Sequence, residues 1–564
     1  MQPQASRPIQ HYALLVALGL AGVLQAFALA WPFAGNAYGE PIAALQLLSL
    51  AIFAAALDRS HQVAQAFWQS WVFASAWLGA TFWWLFISLH TYGQMHALLA
   101  FAAVACLAMA LALYYAAAGA IYRRWCHQGV RVYWRALAFA ALWMLAELLR
   151  GTLFTGFPWG AIGYAHVDSP MRHWLPWVGV YGLSGLVAFA CMAVVATRIG
   201  RLDKPTDPWM WGVRGLLVLG LAVTWWTAHT QNAPPTEYLS SHTLKVALVQ
   251  GNVPQDLKFG AAVPHALRDY RQQLLDNTAD FMALPETALP VLHDSLPAAY
   301  WDPLKQHYAQ SQQLALIGIP MQQVAASASS GSAATPNADD VSTQAQPERA
   351  RPSTFTNSAM ALMPSATAPD YRYDKHHLVP FGEFVPPMFR WFMDLMHIPL
   401  GDFGRGPLGQ PALEFKGERI APNICYEDLF GEELAHNFSN PQQAPTLMIN
   451  LSNIAWFGDS VAIDEHLHIS RVRAMELGRP MLRATNTGAT AIIDTQGVVT
   501  HRLASGVPGV LVAEVRGVHT DPTPFAQWAS RFGLAPLWLL GVGAVLAVAG
   551  LARRNRHGRR RFGP

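Results

Sequence analysis

The sequence predicts a multi-pass α-helical membrane domain of eight spans joined to a soluble, layered α/β domain. Composition is the first reason: 13% of the 564 residues are charged, against about 25% in ordinary soluble domains, and 52% are hydrophobic. Segregation is the second, because the long apolar runs lie before residue 235 and after residue 533 while the middle keeps soluble polarity. The third is the alternation, across 244–516, of short β-rich runs with helical ones, the pattern of a layered α/β fold. A formal net charge of +3, with arginines set beside apolar runs rather than on one basic face, argues against nucleic acid as a partner.

An apolar run of about 20 residues can cross the hydrocarbon as a helix, which satisfies its own backbone polar groups there. Such runs fall near 12–31, 39–57, 67–90, 94–121, 134–149, 176–197 and 213–230, with an eighth at 533–552. The expected domains are 1–232 (membrane, seven spans), 243–525 (soluble), 533–552 (last span) and a basic tail at 553–564. The fifth run carries Glu147 near its end, and the first closes on Ala28-Leu29-Ala30, a small-residue pattern like that of a signal-peptidase site. Arginine-rich segments at 122–135, 198–214 and 553–564 alternate with loops at 31–39, 90–96 and 231–243 that carry no Lys or Arg. The positive-inside rule then puts both termini in the cytoplasm and the soluble domain outside it. The loop 150–175, with Arg150 and Arg172, departs from that pattern.

Within the soluble segment, strands are expected at 244–250, 280–286, 314–320, 356–363, 419–427, 446–453, 481–486, 490–497 and 509–515. Several are continuous apolar runs, as in sheets covered on both faces. Helices are expected near 262–277, 296–312, 427–438 and 463–478, the last with an apolar stripe of 3.6-residue period. Residues 324–352, rich in Ala, Ser and Pro and almost without bulky apolar side chains, read as a disordered insertion between two strands.

The four cysteines, Cys106, Cys126, Cys191 and Cys425, show no paired spacing, which speaks against a disulfide framework and a zinc site. No other metal cluster and no nucleotide motif appears, so no cofactor is expected. Cys425 closes the apolar run "RIAPNICYE", Glu286 closes "FMALPE", and Lys375 sits in "YDKHHLVPFGEFVPP". A carboxylate, an ammonium and a thiol together make an activated nucleophile: the carboxylate takes the thiol proton and the ammonium favours negative charge on sulfur and on a tetrahedral oxyanion. A lysine beside Cys425 is expected to pull its pKa below the ordinary value of about 8.5. Singly, each residue also has a structural reading: core cysteine, solvated lysine, helix-capping glutamate.

The segments "ALPETALP", "DKHHLVPFGEFVP" and "NICYEDLF" resemble, in order and spacing, the three catalytic blocks of the nitrilase (carbon–nitrogen hydrolase) superfamily. That resemblance implies an αββα sandwich, with Glu286 as general base, Lys375 as oxyanion-stabilising cation and Cys425 as nucleophile. With "VALVQGNVPQ", "LRGTLFTGFPWG", "WFGDS" and "ELGRPMLRATNTGATAIID" added, the whole chain resembles the bacterial apolipoprotein N-acyltransferases. The resemblance implies a phospholipid donor, typically phosphatidylethanolamine, an acyl thioester on Cys425, and the N-terminal amine of diacylglyceryl-modified lipoproteins as acceptor, at the outer face of the cytoplasmic (inner) membrane. It also implies supporting roles: Glu383 orienting Lys375, Tyr426 as neighbour of the nucleophile, and Glu427 shaping the site or positioning the amine. For Glu427 a helix N-terminal charge is the competing reading. Phe259, Trp456 and Phe457, with Phe157 and Trp159 of "FTGFPWG", are the candidate lipid contacts. Two positions depart from the family: Phe259 stands where a Trp is usual, and Ile454 stands where "SNDAWFG" has an acid.

Two other functions use the same features. A membrane-tethered amidase would keep the triad and let water resolve the intermediate. A transporter or sensor would need partnered ionisable groups inside the spans, for which Glu147 is the clearest candidate.

Overall fold

The computed structural model describes residues 6–127, 130–197, 239–323, 355–365, 370–385 and 403–561. The expected span at 213–230 and the insertion at 324–352 lie outside the described residues.

The other seven expected spans fall on helices. Four are long and apolar enough to cross a membrane: Ala97–Cys126, Val132–Thr155, Pro170–Ala196 and Ala535–Arg556. A fifth is the pair Val63–Thr81 and Leu85–Tyr92, bent by 60°. Tyr12–Phe27 and Ala43–Asp58 are shorter apolar helices. Their outward faces are apolar, with Leu98, Leu99, Phe101, Leu539, Leu540 and Leu546 all exposed, an arrangement that suits lipid rather than water as the surrounding solvent. Inside, Phe53, Phe73, Trp77, Tyr115 and Trp143 pack ring against ring.

The soluble segment forms two six-stranded sheets. The first orders β12-β1-β2-β3-β4-β5, with β1 Leu244–Gln250, β2 Phe281–Ala283, β3 Leu314–Gln322, β4 Phe355–Leu362, β5 Arg372–Asp374 and β12 Gly509–Val515. The second orders β11-β10-β9-β8-β7-β6, with β6 Leu413–Phe415, β7 Glu418–Ile424, β8 Leu447–Ser452, β9 Met481–Thr485, β10 Ala491–Ile493 and β11 Val499–Arg502. Each sheet has three parallel strands at its centre, β1, β2, β3 and β7, β8, β9, flanked by antiparallel neighbours. Because side chains alternate along a strand, Val246 and Leu248 enter the core between the sheets while Ala247 and Val249 pack beneath the helices Val263–Leu275 and Ala298–Ser311. Both faces are therefore apolar, which is why these strands read as unbroken apolar runs.

On the far side of the second sheet, Ala421, Met448, Met481, Ala491 and Ile493 share one continuous core with the membrane helices. Between them lies the helix Ala462–Leu477, every residue of which is buried. Its apolar stripe accounts for one covered side, and the polar residues are covered too, some of them by the membrane half. There Glu465 accepts from the indoles of Trp84 (3.2 Å) and Trp159 (2.7 Å), and His468 Nε2 bonds the Gly39 carbonyl at 2.8 Å. Gly179 breaks the helix Leu175–Ala196 at φ +66°, which frees the Val180 N–H for Glu476 at 2.6 Å; a Cβ at Gly179 would collide with Phe525. The αββα layering is thus complete, with one outer helical layer merged into the membrane half.

Arg150, one of the two arginines that break the charge pattern of the loops, is buried and serves as a strut. Its Nη1 donates to the carbonyls of Phe157 and Trp159, both at 2.6 Å, and its Nε to the Tyr115 hydroxyl at 3.1 Å. Glu147 accepts from Trp143 Nε1 and from the Ile162 N–H, each at 3.1 Å, and so pins the other end of the same loop. Both charges hold the loop 153–162 in shape; an arginine used this way carries no topological signal.

Candidate active site

Glu286 follows β2, Lys375 follows β5 and Cys425 follows β7, so the three come from strand ends of both sheets and converge at one edge of the sandwich. Lys375 Nζ lies 3.1 Å from Glu286 Oε1 and 2.9 Å from Glu383 Oε1, and the lysine is fully buried. Asn357 of β4 donates its Nδ2 to the same two oxygens, 2.7 Å each. The second oxygen of Glu286 accepts the Asn453 N–H at 2.9 Å, and that of Glu383 the Val379 N–H at 2.8 Å. Both carboxylates are therefore oriented from two sides. Burial alone would raise Glu286, but Lys375, Lys258 and Asn357 hold it below its ordinary value. Burial would lower Lys375, and the two carboxylates reverse that, so it stays cationic.

Cys425 sits at the sharp turn from β7 into the short 3-10 segment Cys425–Leu429, at φ +53°. A non-glycine residue in the left-handed region costs about 1–3 kcal/mol and persists only where its surroundings over-determine it. Thr287 (φ +49°) and Phe381 (φ +61°) share that conformation next to Glu286 and Glu383. The Cys425 carbonyl is held by Asn450 Nδ2 and by His466 Nε2, each at 3.2 Å. Arg483 Nη2 donates to His466 Nδ1 at 2.9 Å, and since a guanidinium only donates, the imidazole proton must be on Nε2, facing the Cys425 carbonyl. Burial and the Arg483 charge keep that ring neutral.

The expected depression of the Cys425 pKa is not what the structure gives. Burial, followed by the negative charge of Glu286, pushes the thiol up to about 12, and Lys375, Ser452 and the Asn453 amide oppose this only in part. Burial outweighs the lysine, whose charge is shared between two carboxylates. At rest Cys425 is therefore a thiol, and the Glu286 carboxylate beside it is the candidate acceptor for its proton.

Glu427 accepts four hydrogen bonds: from Ile424 N–H (2.6 Å) and Tyr373 hydroxyl (2.9 Å) on one oxygen, and from His376 N–H (2.7 Å) and His377 N–H (3.2 Å) on the other. It ties the loop that carries Lys375 to the turn that carries Cys425, and caps that turn as the helix-end reading anticipates. Burial lifts its pKa to about 7. Tyr426 is buried and donates to the Gly156 carbonyl at 3.0 Å, with Phe157 stacked on its ring at 6.4 Å between centroids. Among the candidate lipid contacts, Phe259 is exposed, Trp456 is partly exposed against Tyr92, and Phe457 packs on Trp84. Trp159 is 4% exposed, stacked on His466 with its N–H committed to Glu465, so it is a strut between the two halves rather than an open wall. Ile454 is buried in the shared core, where an unpartnered acid would be costly.

Sequence reasoning missed Asn357, Lys258, His466, Arg483 and Asn453. The available signal was a polar residue interrupting an otherwise apolar buried run, as Asn357 does in "FTNSAMAL" and Arg483 in "MLRAT".

This architecture, an αββα sandwich with Glu, Lys and Cys at one edge, defines a carbon-nitrogen hydrolase domain fused to apolar helices. The profile of the carbon-nitrogen hydrolases matches residues 245–524, and that of the apolipoprotein N-acyltransferase N-terminal domain matches 21–193. The apolipoprotein N-acyltransferase of Verminephrobacter eiseniae is 47% identical over 91% of this chain and 92% of its own. That of Ralstonia nicotianae is 39% identical over 94% of this chain and 96% of its own. The chain belongs to the apolipoprotein N-acyltransferase family. Among solved structures, an amidase from Nesterenkonia sp. is similar at 15% identity and a TM-score of 0.34, covering 54% of this chain and 100% of that one.

Proposed function

We propose that this acyltransferase takes a fatty acyl chain from a phospholipid, carries it as a thioester on Cys425 and delivers it to the N-terminal amine of a diacylglyceryl-cysteine lipoprotein. The observation that carries the reading is the convergence of Glu286, Lys375 and Cys425 at the seam with the membrane half, where Phe157 and Tyr426 stack. Glu286 accepts the thiol proton as sulfur attacks the ester carbonyl, and returns it to the leaving lysophospholipid oxygen. In the second half it takes a proton from the attacking amine and, as the C–S bond breaks, gives that proton to the departing Cys425 sulfur, which restores the thiol and the carboxylate. Lys375 favours the negative charge in both tetrahedral states. The thioester stores the acyl group while one lipid leaves and the next arrives, so one site serves two bulky substrates in turn.

Phosphatidylethanolamine is the donor we expect, and the cytoplasmic (inner) membrane the location, with eight spans, both termini inside and the catalytic domain outside. The paired arrangement of arginine-rich and arginine-free loops supports that orientation. The test is the intact mass of protein incubated with phospholipid: a fatty-acyl increment mapping to Cys425, discharged faster by a lipopeptide amine than by water, is the expected result. Rapid discharge by water with no amide product would make the protein an amidase instead.

A further inference from the structure

Lys258 follows the turn after β1 and is 2% exposed. Its Nζ donates to the main-chain carbonyl of Glu286 at 3.0 Å and stands 6.0 Å from the centroid of the Phe259 ring. Among the described residues it forms no ion pair, whereas Lys375 is shared by two carboxylates. A buried ammonium whose described hydrogen bond goes to one neutral carbonyl has not recovered its lost hydration. Such a cation is poorly explained as packing.

The charges around Cys425 give it a purpose. Glu286 and Glu383 together carry two negative charges and Lys375 one positive, which leaves one negative charge among these buried side chains. Lys258 brings that sum to zero while the thiol is protonated. When the S–C bond forms, the thiol proton goes to Glu286 and the negative charge moves to the carbonyl oxygen, so the sum remains zero only if Lys258 is charged. Collapse then breaks the bond to the leaving alcohol, whose oxygen takes the proton back from Glu286, and Lys258 neither gains nor loses a proton.

We propose that Lys258 is a second cation of the acylation site, the one that balances the negative charge arising at Cys425 and on the attacked carbonyl oxygen. The proposal rests on the reading of Cys425 as the acylated nucleophile. Burial draws the Lys258 pKa down to about 8, against the pull of Glu286 and Cys425, the two titratable groups that act on it directly; Glu286 is in turn paired with Lys375, which is shared with Glu383. Protonated below that value, Lys258 sets the basic limb of acylation.

The experiment uses the full-length protein in detergent and an activated ester, p-nitrophenyl octanoate, whose nitrophenolate burst reports acylation without any phospholipid. In the wild type the burst rate falls as pH rises through about 8. Lys258→Met lowers the rate by about 10²–10³-fold, the usual cost of removing one stabiliser of an oxyanion, and leaves no basic limb. Lys258→Arg keeps the burst and moves the basic limb upward, because a guanidinium stays charged across the whole range. A Met variant with more than about a tenth of the wild-type rate, or an Arg variant whose limb coincides with the wild type, overturns the proposal. Should the Met variant not fold, the position of the Arg limb decides alone. A wild type that bursts with the activated ester but takes no acyl chain from phospholipid would sink the donor assignment while leaving Lys258 in place.

Discussion

The protonated resting thiol of Cys425 makes a quantitative prediction. A thiol at about 12 is ionised in roughly 1 part in 10⁵ at neutral pH, against roughly 1 in 30 for an ordinary cysteine near 8.5. Iodoacetamide labelling of Cys425 is therefore expected to be about 10³-fold slower than that of a free thiol, and to rise about tenfold per pH unit without a plateau up to about pH 10. Glu286→Gln removes the neighbouring negative charge that raises the thiol, so the labelling curve shifts to lower pH. The same change removes the proton acceptor and lowers acyl transfer by about 10²–10⁴-fold. One substitution should make the thiol easier to ionise and the enzyme slower. Mass-spectrometric quantification of alkylated Cys425 across pH, beside a transfer assay, measures both. A wild-type inflection below about 8 would refute the reasoning and restore the picture of a preformed thiolate.

Three further outcomes follow from the same structure. Glu465, lifted to about 8 by burial, binds a proton in the folded state that it releases when unfolded, so its contribution to stability is present below its ordinary pKa of 4.5 and is lost as pH rises toward 8. Glu465→Gln should flatten that loss in a thermal melt, while Glu465→Ala, which strands two buried indole N–H groups, should destabilise by about 2–4 kcal/mol. Arg150→Lys replaces a fork that holds two carbonyls and a hydroxyl by a point charge; transfer activity should fall at least about tenfold, with detergent-extractable protein retained, and full activity would count against the strut. His466→Ala removes the donor to the Cys425 carbonyl and should slow the acylation burst about tenfold, with His466→Gln restoring part of it; equal rates in all three would show that the turn holds itself.

Much of the chemistry was legible because it depends on residues that stand out chemically. Glu286 and Cys425 close apolar runs and Lys375 precedes one, and nothing in a packed core asks for an ionisable group at such places. The strand at Arg372–Asp374 was not legible: three residues carry no period, and β5 exists because β4 offers it a partner. The burial of the polar residues of Ala462–Leu477 was not legible either, since a 3.6-residue stripe reports that one side is apolar and says nothing about what covers the other.

The sequence by itself determined the two solvents, the layered α/β segment and the identity of the reactive groups, because hydropathy, strand periodicity and side-chain chemistry are properties of the chain read locally. Only the tertiary structure decided how those groups behave. That Lys375 is divided between two carboxylates, that Lys258 is buried against the Glu286 carbonyl, and that burial and Glu286 keep the Cys425 thiol protonated depend on burial and on distances of about 3 Å between segments far apart in the chain. Coulomb and desolvation energies are set by such distances and by burial, and neither is written in the order of the residues.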